Sequence, residues 1–228
     1  MLARTSPRQA LTVMLAGSLA PRPDRLAAGL GPEAEEVLGC AVRDALAALV
    51  EVDGATLSVV GAPGWEALSA VLPAGIDVLT PDAAIDPRTG AAPPLAWALR
   101  THLDRAFERV VAVAPDAVPI RPRTASTALS ALGSADLVVG PTPAGGIYLF
   151  GVRDDRGVDL AAGFEGDVPT DAVALLAAAR DAGLVARSVE RSPRLSELAD
   201  LAAVRTAVDR APELAPSVGA WLQARGCP

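Results

Sequence analysis

The sequence predicts an α/β protein, a three-layer sandwich in which helices cover both faces of a mostly parallel mixed sheet. Three observations carry this. Short runs rich in Val, Leu and Ile alternate with longer segments whose apolar residues recur at helical spacing. Gly and Pro punctuate the joints between them. Apolar residues make up 51% of the chain, enough for strands buried on both faces, as parallel strands are.

The elements follow in order. Leu11 to Ala16 reads as a first buried strand. Glu33 to Val50 places Val37, Leu38, Val42, Leu46 and Leu49 on one helical face, with Pro32 suited to a first turn. Thr56 to Val60 is a second strand, stopped by Gly61-Ala62-Pro63-Gly64, and Trp65 to Leu72 a short helix. Ile76 to Leu79 is a third strand, and a loop runs from Asp86 to Pro94. Leu95 to Arg109 is a helix with Leu95, Leu99, Leu103 and Phe107 on one stripe. Val110 to Ala114 is a strand closed by Pro115-Asp116, and Thr124 to Leu132 a helix. Leu137 to Val139 and Ile147 to Val152 are strands around a glycine turn. Asp171 to Ala182 is a helix, Leu184 to Val189 a last strand, Leu195 to Val208 a helix, and Val218 to Ala224 a short one. No repeat or interdomain linker interrupts the pattern, so residues 1–228 are expected to form one domain.

Composition narrows the function classes. Net charge is −7, and no basic run stands out, which disfavours nucleic acid as a partner. All twenty basic residues are arginine, and the chain has neither lysine nor asparagine, a pattern that fits a GC-rich coding bias. Cys40 and Cys227 belong to no CxxC pair, so a zinc site or disulfide framework is not expected. No apolar run reaches the ~20 residues that span a bilayer, and Leu11 to Leu19 lacks a cleavage site, so a cytoplasmic location is expected.

In open parallel sheets ligands bind beyond the carboxyl ends of the strands. That singles out the loops at Gly17 to Leu26, Gly61 to Gly64, Thr80 to Pro94 and Pro115 to Pro122. The most distinctive stretch is Gly140-Pro141-Thr142-Pro143-Ala144-Gly145-Gly146, set between two strands. A Gly-Pro exit followed by a Gly-Gly pair marks backbone that another group approaches closely, or simply a tight connection.

Four segments in this order resemble a bacterial family with the glycosyltransferase-A fold, which includes glycosyltransferases associated with arsenosugar biosynthesis. It is distantly related to nucleotidyltransferases of molybdenum and deazaflavin cofactor assembly. In the family's first segment a phosphate loop carries Lys-Thr-Arg-Leu; here Arg25 and Leu26 match, and Pro23 falls on the lysine. The second ends in a metal-binding aspartate, matched by Asp116. The third reads Gly-Pro, two variable residues, then Asp-Gly-Gly-Tyr. Gly140, Pro141, Gly145 and Gly146 match, Ala144 replaces the aspartate and Ile147 the tyrosine, with Tyr148 one place on. In the fourth, Asp200-Leu201 match, while two earlier aspartates fall on Arg194 and Ser196.

The resemblance implies a nucleotide-dependent transferase acting on a nucleotide-sugar or a nucleoside triphosphate, with an unidentified acceptor. Gly17, Arg25, Gly61 and Pro63 would frame the nucleotide. Asp116 and Arg194 would stand at the reacting phosphates. Gly140, Pro141, Gly145, Gly146 and Tyr148 would shape the acceptor side. Magnesium prefers carboxylate and phosphate oxygens, and the match leaves Asp116 as the sole candidate ligand, so a metal site is depleted and Arg194 is placed to substitute as a fixed cation. Assembly into a homo-oligomer is compatible with this reading. The alternative is a noncatalytic relative that keeps the fold as a binding or partner subunit.

Bland readings stand beside these. Asp116 equally suits a turn or helix cap. Arg25 and Arg194 suit a solvated surface. Arg121 and Arg123 are near enough in sequence to Asp116 to meet phosphate or merely to cover a helix start. His102, inside a helix, suits a structural or surface role rather than general-base work, and Trp65, Trp97 and Trp221 suit core or interface anchors rather than sugar platforms.

Overall fold

Among the described residues, seven strands form one sheet in the order β3-β2-β1-β4-β6-β5-β7. The structure, a computed structural model, describes residues 7–61, 72–73, 75–80, 94–164 and 171–225. The strands are β1 (Gln9–Met14), β2 (Ala55–Val60), β3 (Asp77–Leu79), β4 (Arg109–Val113), β5 (Leu137–Pro141), β6 (Ile147–Val152) and β7 (Ala186–Ser188). Each lies within two residues of the ends expected from the sequence. β6 runs antiparallel to both neighbours, and every other pairing is parallel.

The helices among the described residues are α1 (Pro23–Leu30), α2 (Glu33–Leu49), α3 (Pro94–Asp104), α4 (Pro122–Ala131), α5 (Asp155–Phe164), α6 (Ala172–Asp181), α7 (Leu201–Arg210) and α8 (Pro216–Ala224). One group, α1, α2, α4, α7 and α8, packs together, and α3, α5 and α6 form the other. β1 and β4 therefore lie in the middle of the sheet under helices, and Ala10, Leu11, Val13, Met14, Val110, Val111 and Val113 are fully buried. This explains their unbroken apolar sequence. A second apolar cluster, with Leu26, Val37, Leu38, Val204 and Trp221, ties α1, α2, α7 and α8 to one another.

Several elements depart from expectation for identifiable reasons. α1 occupies part of what reads as a loop: Pro23 begins the helix, where a proline is pre-set, and Gly29 lets it lie against Leu198. A Cβ at Gly29 would approach Leu198 Cβ to 2.7 Å. α5 was not legible because Gly157 and Gly163 dilute its pattern; a Cβ at Gly157 would meet Val152 Cγ1 at 2.7 Å. α3 ends at Asp104, five residues before its expected end, in a turn where Ala106 adopts φ 62°. The helix expected from Leu195 instead starts at Leu201, after a 3-10 turn at Leu198–Asp200. The Leu195 amide is held by the Asp116 carbonyl at 2.8 Å, which keeps the chain extended there. The helix expected at Trp65 to Leu72 lies, but for Leu72, outside the described residues.

The topology fixes where a ligand can enter. β2 lies on one side of β1 and β4 on the other, so the chain leaves the carboxyl ends of β1 and β4 in different directions. A crevice opens at such a switch point. Because β6 is reversed, its first residues and the Thr142–Gly146 turn lie at that same end.

Candidate functional site

At this crevice the side chain of Arg194 joins three loops. Its Nε donates to Asp116 Oδ1 at 2.8 Å and its Nη2 to Asp116 Oδ2 at 3.0 Å, a bidentate pair. Nη2 also reaches the carbonyls of Leu19 at 3.2 Å and Ala20 at 2.8 Å. Nη1 reaches those of Ser18 at 3.5 Å and Ile147 at 3.3 Å. The guanidinium thus links the loop after β1, the turn after β4 and the first residue of β6. Its own backbone pairs across to Ala117.

Asp116 lies behind this arginine and is 0% exposed, while the Arg194 side chain is 12% exposed. Burial holds the Asp116 carboxyl above its ordinary value, a rise that the charge and hydrogen bonds of Arg194 offset only in part. Both carboxylate oxygens are engaged. An ion at Asp116 would have to displace the guanidinium, which can neither lose its charge nor find equal partners elsewhere. The donor set here does not fit a magnesium ion. Among the described residues no group of three His, Cys, Asp or Glu side chains is placed to hold a metal.

In front of Arg194 is a cleft of about 340 Å³, lined on one side by Ser18, Arg22 and Arg25 and on the other by the Thr142–Gly146 turn, with Glu197 and Asp200 at its rim. Arg22 has no side-chain partner among the described residues. Arg25 meets Glu197 at 3.9 Å, a long and exposed contact. The Ser18 hydroxyl is buried without a partner among the described residues. Asp200 is tied inward, its Oδ2 accepting from the amides of Ser196 at 2.9 Å and Glu197 at 2.8 Å.

The glycine segment divides into structural and cleft-facing parts. Gly140 is a packing position: a Cβ there would sit 2.7 Å from both Leu149 Cβ and the Tyr148 ring. A register shift follows between Gly140 and Pro141. Gly145, at φ 92°, closes the turn by donating to Thr142, and Gly146 accepts from the Thr142 amide at 2.7 Å. Gly146 and Ala144 line the cleft. Ile147 faces the same cleft, and Tyr148, on the opposite face of β6, donates its hydroxyl to the Glu190 carbonyl at 2.8 Å.

The structure therefore brings Arg25, Arg194, Gly146 and the turn around Gly145 together, with Asp116 directly behind. Gly17, at φ 79°, shapes the loop after β1 by accepting from the Ala20 amide, but does not line the cleft. Gly61 is held to the Leu79 carbonyl at 2.9 Å and is also not in the lining, and Pro63 lies outside the described residues. Sequence reasoning missed Arg22, Ser18 and Glu197. Arg22 had a signal, since it shares the Pro-Arg-Pro-Asp-Arg stretch with Arg25.

No protein-family model matches the chain, and no curated protein matches it in sequence. Solved structures do match. A Desulfovibrio desulfuricans G20 protein described as a nucleotide-diphospho-sugar transferase superposes with TM-score 0.79 at 19% identity, covering 97% of this chain and 96% of its own. A nucleotidyl transferase from Methanothermobacter thermautotrophicus gives TM-score 0.61 at 17% identity over 90% and 99%. Rv0371c of Mycobacterium tuberculosis H37Rv, solved in complex with manganese, gives 0.53 at 17% over 88% and 98%. At these identities the likeness shows the fold: the chain has the nucleotide-diphospho-sugar transferase fold, the glycosyltransferase-A type. No helix among the described residues is long and apolar enough to cross a membrane.

Proposed function

We propose that the chain is a nucleotide-dependent transferase whose cleft receives the phosphates of a nucleotide-sugar or nucleoside triphosphate on arginine side chains. The observation that carries this reading is the Arg194 guanidinium, fixed on Asp116 and four carbonyls at the junction of the matched segments. It places a guanidinium, paired with Asp116, at a position where the resembled family keeps a carboxylate for a metal. Asp116 is then a positioning residue, and no step runs through a metal ion. Arg22 and Arg25, on the exposed side of the cleft, retain free donors for phosphate.

Transfer of either kind breaks a bond to a departing diphosphate or nucleoside diphosphate, on which negative charge grows. The Arg22 and Arg25 guanidiniums, already at the cleft, meet that charge. The Thr142–Gly146 turn, with no side chain larger than Thr or Pro, leaves room opposite the arginines for an acceptor. The neighbours' fold and names support the class of substrate.

A noncatalytic binding subunit is the second reading, favoured by the engagement of Asp116, both of whose oxygens are held by Arg194. Melting curves with UDP- and GDP-sugars and nucleoside triphosphates, with and without magnesium, test the binding step. The expected outcome is a magnesium-independent rise for one nucleotide class, lost in an Arg22→Gln/Arg25→Gln variant. Absence of any shift would overturn nucleotide binding. A shift without release of diphosphate or nucleoside diphosphate across a panel of acceptors favours the second reading.

A further inference from the structure

A second cavity, of about 180 Å³, lies on the other side of Pro193, between the start of α4, the end of α7 and the segment Glu190–Pro193. Arg121, Arg191 and Arg210 converge on its mouth from three separate elements. None of the three makes an ion pair or a side-chain hydrogen bond among the described residues. One carboxylate, Glu190, lines it with them. Three guanidiniums against one carboxylate leave two positive charges in a chain whose net charge is −7.

The interior of this cavity is prepared for a polar group as well. Thr124, in the first turn of α4, lines the cavity, and no side-chain hydrogen bond among the described residues occupies its hydroxyl. A hydroxyl with no internal partner is free to donate to an anion held there. α4 also begins without a side-chain cap, since Arg121 occupies the N-cap position and supplies no acceptor. The helix end therefore adds its own partial positive charge on the same side. The apolar walls are Val113, Ile120 and Leu149.

We propose that this α4–α7 cavity is a binding site for a phosphomonoester group of a small molecule, distinct from the nucleotide cleft. A dianion balances the two uncompensated charges, and the planar forks of arginine match phosphate oxygens. The volume is below the few hundred Å³ of a whole-ligand pocket, so the site holds the phosphate end and leaves the remainder outside. The inference stands independently of the nucleotide reading, because it uses none of the residues of that cleft except the shared wall at Pro193.

Titration calorimetry of the full chain with inorganic phosphate at constant ionic strength tests it, with acetate as the carboxylate probe. Saturable binding of one phosphate is expected. It should weaken at least tenfold in Arg121→Gln/Arg191→Gln/Arg210→Gln and several-fold in Thr124→Val, and stay within twofold in Arg22→Gln/Arg25→Gln. Melting temperatures without phosphate check that each variant is folded, and Thr124→Val, which preserves shape, serves if the triple variant is not. Three results would overturn the proposal. They are no saturable binding, binding that survives both the triple variant and Thr124→Val, and acetate binding as tightly as phosphate. Loss of phosphate binding only in Arg22→Gln/Arg25→Gln would also overturn it, and would assign the anion to the nucleotide cleft.

Discussion

Arg194 shows how much one side chain can organise. Replacing it by alanine leaves Asp116 charged, buried and unpaired and deprives four carbonyls of their donor. A loss of about 3–5 kcal/mol is expected, read as a shift of the urea midpoint. Arg194→Lys keeps the charge but not the fork, so it should also destabilise rather than rescue. Gly140→Ala is expected to destabilise by about 1–3 kcal/mol, because its Cβ would collide with Leu149 and the Tyr148 ring. These roles were partly legible. Gly-Pro and Gly-Gly announced close backbone approach, but which glycine packs and which turns depends on what lies opposite. The pairing of Arg194 with Asp116 spans 78 positions, and no local pattern encodes it.

At the scale of elements, two buried polar groups yield predictions. His102 on α3 is buried, its Nε2 lying 2.9 Å from Ser58 Oγ on β2. The Ser58 hydroxyl donates to the Leu11 carbonyl at 3.3 Å, so Nε2 donates to the hydroxyl oxygen and Nδ1 is left bare, without a partner among the described residues. Desolvation, aided by the nearby Arg105 charge, lowers the imidazole from 6.5 to about 4. The unfolded chain therefore takes up this proton first as pH falls. The contribution to stability is complete above pH 6.5 and is lost between 6.5 and about 4. The full loss is on the order of 3 kcal/mol. Denaturation across that range should show the slope, and His102→Phe should flatten it. Asp44 on α2 caps a distant helix, accepting from the amides of Ser217 at 3.1 Å and Val218 at 2.9 Å at the start of α8. Asp44→Ala is expected to destabilise by about 2 kcal/mol, measured by thermal or urea unfolding. The strands were legible because parallel strands buried on both faces read as unbroken apolar runs. α1 and α5 were not, since their glycines serve contacts with Leu198 and Val152 that exist only in the folded chain.

Across the whole molecule, the sheet and the α1–α2–α7–α8 cluster are separate apolar assemblies that meet along α2. Trp221 anchors the smaller one, with Arg225 stacked 4.6 Å over its ring. Trp221→Ala should destabilise by about 3–5 kcal/mol and is checked by equilibrium unfolding. The fold class and the end of the sheet that carries the cleft followed from element order alone. The second cavity did not, because Arg121, Arg191 and Arg210 are scattered over ninety positions and meet only after α4 and α7 dock. The buried guanidinium at the crevice has one more consequence. A bound ion exchanges with its surroundings and can be stripped by a chelator or withheld by scarcity. A cation built into the polypeptide arrives with every copy at synthesis, so the geometry of this crevice should be indifferent to dialysis, EDTA and the metal supply of the cell.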